Sequence, residues 1–521
     1  MSLKKVFDKL VARQIIWFIA VTFLVIASVA VFFHKEYFTF LIAPLVIISI
    51  VALDNIQTKH TLLKNYPFIG RLRYFFESIR PEFRQYFFEG ELDGKPFNRR
   101  QRSIVYQRAK NEKQTISFGM QDDPNRIGYE WAAHSVYPKK ADKNHFRTVI
   151  GNEQCTQPYN ASIYNISAMS YGALSKTAVT SLNKGAQLGN FAHNTGEGGI
   201  SEYHLQGGDL IWQIGTGYFG CRNEEGNFSD KLFSERANYP QVKMIELKLS
   251  QGAKPGHGGL LPAEKNTEEI AKIRSIKPHT AVHSPSAHTA FTDAEGLLLF
   301  LEKLRKLSKG KPVGFKICIG RKDEFIEIVE AMFTTGIYPD FITIDGAEGG
   351  TGAAPLEFID YMGMALSDAI VFVNRTLTQF GLRKHIKIMA SGKIISAFDI
   401  AKAMALGADA CYSARGMMFA LGCIQALQCD SGKCPVGIAT QNKSLYKGLD
   451  ITDKSLRVAN FHKNTLKALT EFIGACGFTN PKEIKPDAFF RRTAHNSNQS
   501  LSEIYFSNTA QNSKKESINL N

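Results

Sequence analysis

The strongest constraint on this chain is a repeat of short apolar, β-branched runs between residues 160 and 413, most of them separated by helical patterns. Eight runs read as strands: "IYNISA" (163–168), "GNFAHN" (189–194), "VKMIELKL" (242–249), "TAVHS" (280–284), "PVGFKICI" (312–319), "FITID" (341–345), "IKIMAS" (386–391) and "ADACYS" (408–413). Stretches such as "AEGLLLFLEKLRKL" and "EFIEIVEAMFTTG" carry the apolar period of a helix. Parallel strands need long crossovers of this kind, so repeated βα units predict an α/β fold, a (β/α)8 barrel of the TIM type. An open doubly wound sheet is the alternative that the pattern leaves open.

In such barrels the chemistry sits at the C-terminal ends of the strands, and a phosphate commonly rests on backbone N–H groups after strands seven and eight. Here "ITIDGAEGGTGAAP", "IMASGK" and "CYSARG" put Gly-rich turns, Lys393 and Arg415 at three consecutive strand ends. Gly392 would let the backbone approach a phosphate, with Lys393 and Arg415 adding charge. Lys316 lies inside the apolar strand "VGFKICIG". A buried ammonium needs a counter-charge, either a carboxylate or the pyrimidine side of a bound flavin.

The chain carries +15 at neutral pH, and residues 1–110 hold 17 Lys and Arg against 8 Asp and Glu. A basic excess can indicate nucleic acid, but this one flanks apolar sequence, which points to an anionic membrane surface instead. "IIWFIAVTFLVIASVAVFF" (15–33) has no charge and is long enough to cross a bilayer as a helix. After "HKEY" comes "FTFLIAPLVIISIVAL" (38–53), and Pro44 within it is tolerable in a membrane helix. The two runs predict a transmembrane helical hairpin over residues 1–54, with a cleaved signal peptide as the alternative. Lys4, Lys5, Lys9 and Arg13 precede it and Lys59, Lys64, Arg71 and Arg73 follow it, which puts both ends and the following domain on the cytoplasmic side. "RLRYFFESIRPEFRQYFFEG" (71–90) mixes Arg with aromatics; it either lies along the membrane interface or packs on the domain C-terminal to it. The expected organisation continues with a basic juxtamembrane region (55–150), the barrel (151–482) and a polar tail (483–521).

Eight cysteines in 521 residues are no disulfide framework. Cys155, Cys221, Cys318, Cys411 and Cys476 are scattered and read as buried small apolar residues. The other three cluster in "GCIQALQCDSGKCPVGIATQ" (422–441), with a C-x5-C-x4-C spacing and no His nearby. Structural zinc wants four ligands, commonly in closer pairs. Three thiolates instead suit an iron–sulfur cluster with one corner empty.

These pieces, with "SAMSYGALS" (167–175), "NTGEGG" (194–199), "QIGTGYFG" (213–220), "KLSQGAKPG" (248–256), "DGAEGGTGAAP" (345–355) and "ALGADA" (405–410), resemble in order the FMN-binding synthase domain of glutamate synthase, and more closely its single-chain, membrane-tethered relatives. The resemblance implies an FMN held by Met169, Ser170, Gln213, Lys316, Gly349, Gly350, Thr351, Gly352, Ser391, Gly392, Lys393, Ala414 and Arg415. It implies a [3Fe–4S] cluster on Cys423, Cys429 and Cys434 in loop 422–441. The implied reaction condenses ammonia with 2-oxoglutarate to 2-iminoglutarate, which hydride from FMN reduces to L-glutamate. Gln251, Lys254 and Arg274 match the family's substrate-binding positions, and an Arg can hold a carboxylate bidentately. Glu197 is a candidate acid/base or ammonium-binding group, or else a carboxylate structuring its Gly-rich loop. With Lys316 it makes up the catalytic pair. The chain departs from the usual "KPGEGG" followed by Gln: His257 replaces the acid and Leu260 the Gln. That motivates a second reading, a related FMN and iron–sulfur oxidoreductase for another amino or oxo acid. A non-catalytic membrane scaffold is a third, which the retained motifs oppose.

No cysteine precedes Cys155, so a counterpart of the family's glutamine-hydrolysing domain, with its N-terminal cysteine nucleophile, is not expected. Free ammonia or an ammonia-supplying partner is therefore expected. No second Gly-rich βαβ unit for NAD(P)H is evident either. A small redox protein such as ferredoxin is the expected electron donor, membrane lipid a further partner, and nucleic acid none.

Overall fold

The computed structural model describes residues 11–142 and 146–507. The chain divides into two compact units, one ending at Gly94 and the other beginning at Lys95.

In the first unit, α1 (Ala12–Phe33) and α2 (Ile42–Ile56) are joined by a tight 3-10 stretch, Lys35–Leu41. The two apolar segments, Ala12–Phe33 and Lys35–Ile56, are 22 residues each, long and apolar enough to cross a membrane. Ala20, Ala27, Pro44 and Val51 are buried, whereas Phe18, Ile26, Phe32 and Leu45 are exposed. Small residues let two helices approach closely, and bulky apolar ones pointing outwards suit a lipid surround. Pro44 falls in the first turn of α2, where its missing N–H has no helical partner to lose. Lys4, Lys5 and Lys9 lie outside the described residues. Beyond α2 the chain turns back through Thr61–Asn65 into α3 (Gly70–Phe83), which ends in a wider π turn, Arg84–Phe88. Asp54, near the end of α2, is buried and accepts hydrogen bonds from the Phe68 N–H (2.9 Å) and from Arg71 Nη2 (2.6 Å).

The second unit is a closed barrel of eight parallel strands. They are β1 (Tyr164–Ile166), β2 (His193–Asn194), β3 (Leu210–Ile214), β4 (Val242–Lys248), β5 (Val313–Ile317), β6 (Phe341–Asp345), β7 (Lys387–Ser391) and β8 (Ala410–Ser413). Each pairs with the next, and β8 closes on β1 through Cys411 opposite Tyr164. One expected strand is wrong. Residues 280–284 supply only Val282–His283, which pairs antiparallel with Leu260–Leu261 outside the barrel. The third barrel strand is Leu210–Ile214, all five residues of which are buried. The physical reason is burial on both faces: a barrel strand must be sealed inside and out, and His283 is exposed.

Outside the barrel, α4 (Arg99–Lys110) opens at Asn98, whose side chain accepts from the Gln101 N–H. The 25-residue helix α6 (Ile451–Ala475) packs along both α4 and α5 (Lys176–Gly189). A hairpin, Phe489–Ala494 with Ser497–Ser500, extends the short strand Glu130–Ala132. Inside the barrel Glu246 is fully buried, and its carboxylate accepts from Asn194 (2.8 Å), Gln213 (2.7 Å) and Thr343 (2.6 Å). Three donors on three other strands offset the cost of enclosing it and lock the strands in register.

Candidate active site

The C-terminal ends of the strands open into one cavity of about 770 Å³. It is lined by every residue matched to FMN, substrate and cluster by sequence, so the barrel brings together positions up to 265 residues apart, from Met169 to Cys434.

Three Gly-bearing turns form one side. Gly392 takes φ +148°, a conformation that L side chains rarely adopt, and Lys393 follows it. Arg415 donates from Nη2 to the Glu348 carbonyl (2.6 Å) and lies over the Phe97 ring. Burial pulls the Arg415 guanidinium down to about 10. Burial, and then the neighbouring Arg415, lowers the Lys393 ammonium. A half-buried guanidinium and an exposed ammonium that repel each other are a site for an anion. Gly349, Gly350, Thr351 and Gly352 approach from β6, and a Cβ at Gly352 would meet only open cavity. This cradle fits the phosphate of a flavin nucleotide.

Lys316, on β5, pairs with Asp345 at the end of β6 (3.2 Å). Burial works against its charge, but Asp345, Glu246 and Glu197 together outweigh it and raise its pKa. Asp345 also accepts from the Gly252 N–H (2.9 Å). That bond draws the loop after β4 against the loop after β6 so closely that a Cβ at Gly252 would stand 1.7 Å from the Gly346 oxygen. Lys316 therefore has the buried carboxylate partner that one reading of its sequence position requires, and it also lines the cavity.

Next to it is a second charged group. Glu197 accepts from Lys248 Nζ (3.0 Å). Burial alone would raise its pKa; Lys248, Lys254 and Arg274 overcome that and hold it below the ordinary carboxylate range. Lys254 donates to the Ala353 carbonyl (3.2 Å), and burial together with Lys248 lowers its pKa. Arg274 donates to the Tyr171 carbonyl (3.0 Å) and lies over Phe219. Its buried Nε finds no partner among the described residues, and burial lowers the guanidinium to about 10. An orphaned donor beside a second cation fits a ligand carboxylate. Gln251 lines the same wall. His257 turns aside: its Nδ1 lies 2.8 Å from the Gly258 carbonyl and its ring meets Phe358 edge-on, whereas Leu260 stays on the cavity wall.

Cys423, Cys429 and Cys434 line the same cavity. Burial pushes the Cys423 thiol up to about 12, with the other two thiols adding to the rise. Among the described residues no three His, Cys, Asp or Glu converge on a single metal ion. The loop is pinned from several directions. Gln425 exchanges hydrogen bonds with the Phe97 backbone, Tyr106 donates to the Cys423 carbonyl (2.6 Å), and Lys265 Nζ donates to the Cys429 carbonyl (2.7 Å).

Sequence reasoning did not single out Lys248, Asp345 or Lys265. Lys248 and Asp345 sit inside family motifs as the last residues of β4 and β6, so strand-end position was the available signal. For Lys265 there was none, because its partner is 164 residues away.

Residues 105–479 match the conserved region in glutamate synthase. A glutamate synthase large subunit-like protein of Bacillus subtilis is 39% identical over 82% of this chain and 89% of its own length. The archaeal glutamate synthase [NADPH] of Methanocaldococcus jannaschii is 36% identical over 70% of this chain and 67% of its own. Among solved structures, the flavin-binding domain of baker's yeast flavocytochrome b2 matches 79% of this chain and 82% of that one, at 12% identity and a TM-score of 0.43.

Proposed function

This chain belongs to the glutamate synthase family, and from that premise we propose that it is an FMN and [3Fe–4S] oxidoreductase making L-glutamate from 2-oxoglutarate and ammonia, with electrons from a ferredoxin-like protein. The observation that carries the reading is one cavity containing an anion cradle, a paired ammonium, two cations suited to a dicarboxylate, and three thiols.

Bound in this cavity, FMN would supply hydride to an imine carbon, and the cluster on Cys423, Cys429 and Cys434 would feed it single electrons. The cradle of 349–352, Ser391, Gly392, Lys393, Ala414 and Arg415 would hold the nucleotide's phosphate. Met169, Ser170 and Gln213 would flank the ring, and Lys316 would set positive charge against it. Arg274 and Lys254, with Gln251, bind the two carboxylates of the oxo acid and so fix its carbonyl carbon. Glu197, held ionised by Lys248, carries two protons in turn from the attacking ammonia nitrogen to the former carbonyl oxygen, the first giving the carbinolamine hydroxyl and the second releasing it as water, so that the imine forms. Ammonia comes free or from a supplying partner. The apolar hairpin tethers the barrel to the cytoplasmic face of a membrane.

Leu260 on the cavity wall favours a second reading, the same chemistry on a less polar oxo acid. Glutamate formation by the anaerobically purified protein, given 2-oxoglutarate, ammonia and reduced ferredoxin, tests the proposal. Turnover of other oxo acids with none of 2-oxoglutarate would sink it and support the second reading.

A further inference from the structure

The first unit carries a surface that the barrel chemistry does not use. In α3, Leu72, Phe75, Phe76, Ile79 and Phe83 recur at helical spacing and share one face. Such a stripe normally packs into a core. Here Phe75 is 55% exposed, Phe76 61%, and Phe87 and Phe88 in the following turn 74% and 76%. Their rings meet one another, Phe75 with Phe76 at 5.6 Å and Phe83 with Phe87 at 5.3 Å, and stay open to the outside.

Arg73, Arg80 and Arg84 fall along one edge of this face and are exposed, Arg80 and Arg84 in loose ion pairs with Glu77 (3.8 Å) and Glu89 (3.5 Å). Pairs of that kind contribute little and leave the guanidinium heads free to reach phosphate.

The start of α3 is fixed relative to α2. Asp54 accepts from the Phe68 N–H and from Arg71 Nε (3.0 Å) and Nη2. If α2 crosses a bilayer, its end lies at the bilayer surface, and this clamp holds the beginning of α3 at the same depth. We infer that α3 and its following turn lie in the lipid interface, with the Phe face among the acyl chains and Arg73, Arg80 and Arg84 at the headgroup phosphates. The inference rests on the hairpin's being membrane-spanning; it adds a third, in-plane element that fixes how the anchor leaves the membrane.

The test uses the full chain in phosphatidylcholine vesicles containing a photoactivatable diazirine lipid, with labelled peptides located by mass spectrometry. Label is expected on peptides from 12–56 and also from 71–88. The F75S/F76S/F87S variant is expected to lose about fivefold or more of the 71–88 label and keep the hairpin label. Labelled hairpin peptides with unlabelled 71–88 would overturn the inference and mark the Phe face as a protein-docking surface. An unlabelled hairpin would overturn the membrane reading itself, and this inference with it.

Discussion

Replacing Lys316 by Met should unbalance the centre of the site in a way a second substitution repairs. Lys316 and Asp345 are 8% and 5% exposed and 3.2 Å apart. At an effective dielectric of about 20 their attraction is roughly 5 kcal/mol before desolvation is counted. Removing one member of such a pair typically costs about 3–5 kcal/mol, because the other is left buried and charged. The Gly252 N–H still serves Asp345, so the lower half of that range is expected. At about 2.1 cal/mol/K per residue, a unit of roughly 430 residues would lose on the order of 3–4 °C of Tm. The K316M/D345N double variant leaves neither charge and should recover most of that loss. Its flavin behaviour should not recover, since the cation is still missing; bound FMN per chain and affinity for sulfite should stay low in both variants. Differential scanning calorimetry of the four proteins in the cycle, with flavin extraction on each, reads both effects. Additive losses of Tm, with no coupling between the two substitutions, would refute the pairing argument. Full flavin recovery in the double variant would refute the role given to Lys316.

Other expectations are simpler. Arg415→Met removes one of two cations from the phosphate cradle and should weaken FMN binding by about 10-fold or more, seen as flavin lost on dialysis. Cys429→Ser should abolish the iron signal while leaving FMN bound, because the cradle lies on other loops; joint loss of both would argue against separate sites. Glu197→Gln should lower kcat by about 100-fold or more with a smaller change in KM. The wild-type Glu197 is held below the ordinary carboxylate range, so it stays ionised as pH falls towards 5 and should add no acidic limb to the kcat profile above that pH. Burial holds His204 and His462 neutral down to about 3 and His288 down to about 4. An unfolded histidine takes its proton near 6.5, so the stability these groups contribute is complete above that pH and declines as pH falls towards 3–4. By pH 5 the loss is about 2 kcal/mol for each, and urea midpoints should fall accordingly between pH 7 and pH 5.

Much of this was legible because barrels concentrate chemistry at strand ends, and strand ends are where this sequence places its glycines, Lys393 and Arg415. The motifs after β6, β7 and β8 give the cradle almost directly. The third strand was missed for a local reason. Only a short 3-10 turn, Glu202–His204, separates it from β2, so no helical period announced a βα unit, and "QI" at its end was absorbed into a Gly-rich motif. Val282–His283 had the composition of a strand but not the two-sided burial, which only tertiary structure decides. Ion pairs such as Lys248 with Glu197 join groups 51 residues apart and leave no trace in spacing. The clamp from Asp54 to Phe68 and Arg71 is similar: each residue is ordinary in sequence, and only the chain's reversal after α2 makes them partners.

One cavity is proposed to hold both a flavin and an iron–sulfur cluster. Anaerobic purification of the full chain, flavin extraction and electron paramagnetic resonance on the same sample test it most directly. About one FMN per chain is expected of a single phosphate cradle, with a three-iron signal in the oxidised protein. Colourless protein, folded but carrying neither flavin nor iron after expression with both supplied, would contradict it.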